Sequence, residues 1–98
     1  MEINVTHGDK MVIALKGRLD TITSNELLEA FSKENKEEGV VQVDMKELEY
    51  ISSAGLRALL SMKKELTGAN KVLEVCNLNA ICLEVFKVTG FINILNVK

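Results

Sequence analysis

Apolar and polar positions alternate twice near the start of the chain. Ile3 and Val5 lie between Glu2, Asn4 and Thr6, the period of a half-buried strand. Met11, Ile13 and Leu15 alternate with Val12, Ala14 and Lys16 in a second strand running towards Gly17-Arg18-Leu19. His7-Gly8-Asp9 between them suits a hairpin turn, because glycine accepts positive φ without strain. Asp20 to Ser24 then reads as a polar connection. Thr23-x-x-Glu26 fits a capping box, and Leu27, Leu28 and Phe31 follow at helical spacing. This helix is expected to end in the polar run Lys33 to Glu38, a solvated face, with Gly39 as its left-handed stop.

Val40, Val41 and Val43 form a short β-branched run, the mark of a buried central strand. Asp44 to Tyr50 carries it to Ile51-Ser52-Ser53-Ala54-Gly55-Leu56-Arg57. From Ala54 the period turns helical, with Leu56, Leu59, Leu60, Met62 and Leu66 on one broad face and Gly68 closing the helix. Val72, Leu73 and Val75 predict another short strand. Ala80 to Thr89 predicts a third helix with Ile81, Val85 and Val88 as its apolar stripe and Gly90 as its C′ residue. Ile92, Ile94 and Leu95 suggest a last short strand. The order ββαβαβα(β) implies an α/β fold: a mixed, mainly parallel sheet of four or five strands after an opening hairpin. About three helices would pack mostly on one face and leave the other barer.

Composition narrows the function. The chain has 98 residues, a length that suits a single domain spanning 1–98. Lys plus Arg is 12 against 14 Asp plus Glu, a net charge of -2, which is the wrong sign for the electrostatic footprint of nucleic-acid binding. One Tyr and three Phe are too few for stacking single strands. A single histidine, His7, excludes multi-histidine metal sites, and no cofactor or metal is expected. Cys76 and Cys82 fit neither a zinc signature nor a disulfide framework. They read as small core residues in a reducing compartment. Met1-Glu2-Ile3-Asn4 lacks a basic stretch and an apolar segment, so no signal peptide is expected, and nothing reaches the length of a membrane span. A cytoplasmic protein is the expectation.

Catalysis finds little support. His7 sits in the predicted hairpin turn, and Asp20 and Asp44 near strand ends have no partner base fixed by sequence. The phosphate-binding glycine motifs are missing, and Ser53-Ala54-Gly55 lacks the first glycine of a nucleophile elbow, since position 51 is Ile. The Ser52-Ser53 pair has a stronger reading. One hydroxyl can cap the helix that follows, satisfying an orphan N–H, a contribution of about 1 kcal/mol. Gly55 in the first turn would bare backbone N–H groups to a partner or a phosphate. A phosphate on Ser53 would meet the positive end of the helix, which the domain tolerates, while a partner docked there would not.

These segments, in this order, resemble a STAS domain, the fold of bacterial anti-sigma factor antagonists. The resemblance runs over essentially the whole chain. It rests on the opening hairpin, Gly17-Arg18-Leu19-Asp20, the Val-rich strand with Asp44, Ser52-Ser53-Ala54-Gly55-Leu56-Arg57, and Val88-Thr89-Gly90-Phe91. It implies a regulator of transcription by partner switching and not an enzyme. Such antagonists bind an anti-sigma factor that is also a serine kinase and free its sigma factor. Phosphorylation at the start of the second helix releases the antagonist, and a serine phosphatase resets it. The family's turn usually reads Asp-Ser-Ser/Thr-Gly-Leu. Aligned on Gly55-Leu56, the acceptor is Ser53, the usual Asp is Ser52, and the second hydroxyl residue is Ala54. The exchange removes a charge beside the acceptor and makes Ser52 the second choice for phosphorylation.

The docking surface that the resemblance implies comprises Asp20, Thr21, Thr23, Ser24 and Asn25 with Ser52, Ser53, Ala54, Gly55, Leu56 and Arg57. Leu56 is open to two readings, core residue or exposed contact. Family members of this kind mostly act as monomers. Other roles remain open on the same fold: a non-phosphorylated scaffold, or the STAS subunit of a transporter, as in lipid-asymmetry systems. A module binding a small anion or nucleotide at the sheet end is a further alternative.

Overall fold

The computed structural model describes all 98 residues. Strand β1 (Glu2–Thr6) and strand β2 (Met11–Leu19) form the opening hairpin. Helix α1 (Thr21–Lys33), strand β3 (Val40–Ile51), helix α2 (Ser53–Gly68), strand β4 (Val72–Cys76) and helix α3 (Ala80–Thr89) follow. A 3-10 turn at Phe91–Asn93 and strand β5 (Asn96–Val97) complete the chain. The strands form one sheet in the order β1-β2-β3-β4-β5, antiparallel at β1–β2 and parallel thereafter. Right-handed crossovers that advance in one direction lay successive helices on the same face of the sheet.

The strand pattern explains which face is covered. Met11, Ile13 and Leu15 of β2, Val41, Val43 and Met45 of β3, and Leu73 and Val75 of β4 are all buried. They join Leu27 and Phe31 of α1 and Leu56, Leu59, Met62 and Leu66 of α2 in a core of 20 residues. The opposite face carries Asn4, Ala14, Gln42, Asp44 and Glu74. It is polar but organised: Lys10 Nζ and Gln42 Nε2 both donate to Glu74 Oε1, at 2.9 and 3.2 Å. The Lys10 hydrogen bond, above all, holds the Glu74 carboxyl below its ordinary range.

Several local expectations need correction. Helix α1 begins at Thr21, so Asp20 to Ser24 is not a connection. Its N-cap is Asp20, and the capping box pairs Asp20 with Thr23, not Thr23 with Glu26. The helix ends at Lys33, and its C-cap Glu34 is extended, so Gly39 does not stop it. Gly68 is the last residue of α2, and the left-handed position beyond it falls on Asn70 at φ 60°. Gly90 takes the left-handed cap of α3 at φ 80°, as expected. Helix α3 turns Cys82 and Phe86 inward and leaves Ile81 and Val88 exposed at 60% and 77%, so of the expected stripe only Val85 packs against the core. Near the C-terminus, the residues Ile92, Ile94 and Leu95 form no strand. Ile92 belongs to the 3-10 turn, Leu95 is buried, and β5 is the next pair of residues.

Both thiols are free, and burial raises each above its ordinary pKa. Cys82 is a core residue, while Cys76 is half-buried on the polar face of the sheet. His7 is more engaged than a bland turn residue. Its Nδ1 lies 2.8 Å from Glu38 and its Nε2 2.8 Å from Glu34, fastening the hairpin turn to the segment after α1.

Candidate functional site

Strands β2 and β3 end side by side, with Leu19 opposite Ile51. Both are buried, and each is followed at once by a helix cap: Asp20 for α1, Ser52 for α2. The two helix N-termini therefore emerge together at one end of the sheet. The Ser52 N–H donates to the Leu19 carbonyl at 2.9 Å and ties the two turns.

The first turn is built from Asp20 and Thr23. The Asp20 carboxylate accepts the N–H groups of Ile22 and Thr23 at 3.0 and 2.9 Å. The Thr23 backbone hydrogen bond, more than any other contact, holds the Asp20 carboxyl below the usual carboxylate range. Thr23 Oγ1 accepts from the Asp20 N–H at 2.8 Å and donates to the Arg18 carbonyl at 2.7 Å. Ser24 is buried, with its hydroxyl donated to the Asp20 carbonyl. Asp20, Thr23 and Ser24 thus have their polar groups committed within the turn. Thr21 and Asn25 are exposed.

The second turn divides its two serines sharply. Ser52 is half-buried and its Oγ accepts the Gly55 N–H at 3.3 Å. Ser53, the first residue of α2, is exposed and its hydroxyl takes no part in the capping. Gly55 is buried rather than bared to solvent. A Cβ built on it would meet Ile51 Cγ1 at 2.8 Å and Leu19 Cδ2 at 2.9 Å. The glycine is there for close packing of the helix on the strand ends, which corrects its expected role as an opening for a phosphate. Leu56 is 3% exposed and belongs to the core, which decides between its two readings. Ala54 is half-buried and Arg57 exposed.

Between the helices runs a shallow groove. Thr21, Asn25 and Leu28 of α1 line one side, and Ala54, Arg57 and Ala58 of α2 the other. The structure brings together both halves of the expected surface, but Ser24, Gly55 and Leu56 support it from beneath. Two features went unnoticed in the sequence. Ile22, in the first turn of α1, is 76% exposed at the same end of the sheet. It lies out of phase with Leu27 and Phe31, which is the signal that could have found it. Arg18 stacks over the Tyr50 ring, 4.5 Å from its centroid, at the same end of the sheet.

The candidates for catalysis do not converge. Asp44 accepts from Asn77 Nδ2 at 2.9 Å on the polar face, and His7 sits by the β1–β2 turn, at the other end of the sheet from Ser53. Titratable groups at the Ser53 end include Asp20, committed to its cap, Arg18 stacked on Tyr50, and the exposed Arg57. This end of the molecule offers a hydroxyl on a firmly built surface, not an assembled acid–base pair.

Comparison with known proteins gives a consistent picture. The family model described as "Mlab, STAS domain" matches residues 4–96. A Bordetella bronchiseptica protein, BtrV, named as an anti-sigma factor antagonist, is 35% identical over 96 residues, covering 96% of this chain and 83% of that protein. The anti-sigma-B factor antagonist of Listeria monocytogenes is 27% identical over 99 residues, covering 100% of this chain and 87% of its own. Among solved structures, the unphosphorylated anti-sigma factor antagonist SpoIIAA superposes with a TM-score of 0.83 at 17% identity, over 99% of this chain and 88% of that one. No helix is long and apolar enough to cross a membrane.

Proposed function

From the premise that the chain belongs to the STAS domain family, we propose that it is an anti-sigma factor antagonist switched by phosphorylation of Ser53. In its unmodified form it docks on an anti-sigma factor with serine kinase activity and frees the sigma factor held there. The kinase modifies Ser53, the complex separates, and a serine phosphatase restores the hydroxyl. The names of the Bordetella and Listeria relatives support the general role. One observation carries the finer reading: of the two adjacent serines, Ser52 spends its hydroxyl on the cap and Ser53 presents its own to solvent.

The physics of release follows from that position. A phosphate adds about -1.5 to -2 of charge at a helix N-terminus, where the dipole favours it, so the fold holds. A partner packed against the groove must accommodate that charge in its interface, and an apolar or acidic contact would repel it. This chain acts as substrate and ligand of its partners and supplies no catalytic group of its own. The docking surface comprises the exposed parts of both turns: Thr21, Ile22 and Asn25 with Ser53, Ala54 and Arg57.

The test is site-resolved mass spectrometry of the protein from its native cells, with and without phosphatase treatment. Phosphate on Ser53 supports the reading, and phosphate on Ser52 instead would move the acceptor by one residue. An unmodified chain under all growth conditions would favour a second reading, the STAS subunit of a transporter, which the family model's "Mlab" description motivates. Under that reading Ser53→Asp leaves partner binding unchanged.

A further inference from the structure

The exposed face of α2 pairs Ser53 with one cation. Ser53 and Arg57 are both exposed, whereas Gly55, Leu56 and Ala58 turn into the core. Residues four apart on a helix are neighbours, with Cβ atoms about 5–6 Å apart, and an anion placed N-terminal to the cation is the favoured order. Arg57 enters none of the molecule's ion pairs. The two cation–π contacts belong to Arg18 and Lys36, so the Arg57 guanidinium is uncommitted. No carboxylate of α2 competes for it nearby: the cap is a neutral serine and the first turn carries no acidic residue. Across the neighbouring strand end, the Asp20 carboxylate is held by the N–H groups of Ile22 and Thr23.

Resting on the reading that Ser53 takes a phosphate, we propose that Arg57 is the phosphate's partner within the chain, folding back one turn to hold the phosphoserine. The planar guanidinium matches two phosphate oxygens in a charge-assisted fork, which a lysine ammonium would not reproduce. In the unmodified protein the same side chain stands at the rim of the groove as a free cation. Modification then does two things at one place. It introduces a negative charge and withdraws from the docking surface a positive one that an acidic partner would use.

The experiment uses the full chain with phosphoserine installed at position 53 during synthesis. The second ionisation of the phosphate is followed by 31P chemical shift as pH is varied, in the native background and in Arg57→Gln. Pairing with Arg57 should place that ionisation about 0.3–0.7 pH unit lower in the native background. Lys64→Gln, which removes another exposed cation of α2, should leave it at the native value. Arg57→Lys should recover only part of the difference. Equal ionisation in native and Arg57→Gln proteins, or a Lys64→Gln effect as large as that of Arg57→Gln, would overturn the proposal. Because the phosphate is installed chemically, the outcome does not depend on any cellular kinase. Failure to find phosphate on Ser53 in cells would defeat the functional reading and leave this result standing.

Discussion

The Ser52 N–H donates to the Leu19 carbonyl at 2.9 Å, across the ends of two neighbouring parallel strands. This single bond joins the last residue of β2 to the cap of α2. The residue after Leu19 is Asp20, the cap of α1, so both helix starts are fixed relative to each other by one short segment of backbone. Together with the packing of Gly55 on Leu19 and Ile51, this link helps hold a surface assembled from two separate turns to a defined shape. Here Ser53 and Ile22, distant in sequence, lie on the same rigid end of the sheet.

Gly55→Ala should disturb that end. The new methyl would press on Ile51 and Leu19 at 2.8–2.9 Å, and both are fully buried branched side chains with little room to yield. Overpacking of this kind costs about 1–3 kcal/mol, several degrees of melting temperature in a domain of this size. Gly68→Ala in the last turn of α2 meets nothing within 4 Å and replaces a poor helix former. It should be neutral or stabilising by up to about 1 kcal/mol. Thermal unfolding of the two variants checks both directions, and an unchanged Gly55→Ala melting temperature would contradict the packing role.

Ser52→Ala should cost stability while leaving the acceptor in place. The cap accepts one N–H, that of Gly55, at a long 3.3 Å, so the loss belongs at the lower end of capping effects, about 0.5–1 kcal/mol. Urea unfolding measures it. Incubation with the cognate kinase should still phosphorylate Ser52→Ala and should fail on Ser53→Ala. The reverse pattern would transfer the switch to Ser52.

Much of this was legible in the chain, for reasons that differ by element. Met11-Ile13-Leu15 announced β2 because one face is buried and period 2 survives. The length of β3 was hidden because its buried residues pass from Val41, Val43 and Met45 to Leu48 and Ile51. That spacing of three reflects register shifts against β2 after Ala14 and at Gly17, whose φ is 113°. It matches neither strand nor helix. Helix α3 misled because Ile81 and Val88 are more apolar than Cys82, yet the core took Cys82 and Phe86. For the site, Ser53 stood out by its pattern. The burial of Ser24 and the packing role of Gly55 did not, because both depend on tertiary packing: Ser24 sits where α1 meets α2, and Gly55 lies on Leu19 and Ile51 across the strand ends.

Stability should fall as pH rises above about 6.5, through His7. Hydrogen bonds to Glu34 first, and to Glu38, raise its pKa in the folded chain. A raised folded value means the stabilisation is complete below the unfolded value near 6.5 and is lost as pH climbs through the folded one. At the acid end the sign reverses. Asp20 and Glu38 are held below their ordinary range, Asp20 chiefly by the Thr23 backbone and Glu38 by its own, so their contribution is lost as pH falls. His7→Gln should flatten the upper slope and, because His7 also helps hold Glu38 down, trim the Glu38 share of the acid limb while leaving the Asp20 share. His7 and Glu34 are partly exposed, whereas Glu38 is mostly buried, so about 0.5 M salt should shrink the slope in the native protein through the Glu34 contact. Melting temperatures across that range check the shape, and an equal upper slope in His7→Gln would assign it to other groups.

Ile22 should matter for binding and not for folding. It is 76% exposed in the first turn of α1, and its side chain contributes nothing to the core cluster. An exposed β-branched residue at a helix start gains nothing for the free domain, since its χ1 is restricted and its surface is wet. At the same end of the sheet as Ser53 it is placed to enter an apolar pocket on a docked partner, and truncating such an anchor typically costs more than 1 kcal/mol of affinity, about tenfold. Ile22→Ala should therefore leave the melting temperature unchanged and weaken binding to the anti-sigma factor by about tenfold. Ile81→Ala, on the exposed face of α3, should do neither. Calorimetric titration with the three proteins separates the cases. If Ile81→Ala weakens binding and Ile22→Ala does not, the docking surface lies on α3, and phosphorylation of Ser53 would have to act from a distance.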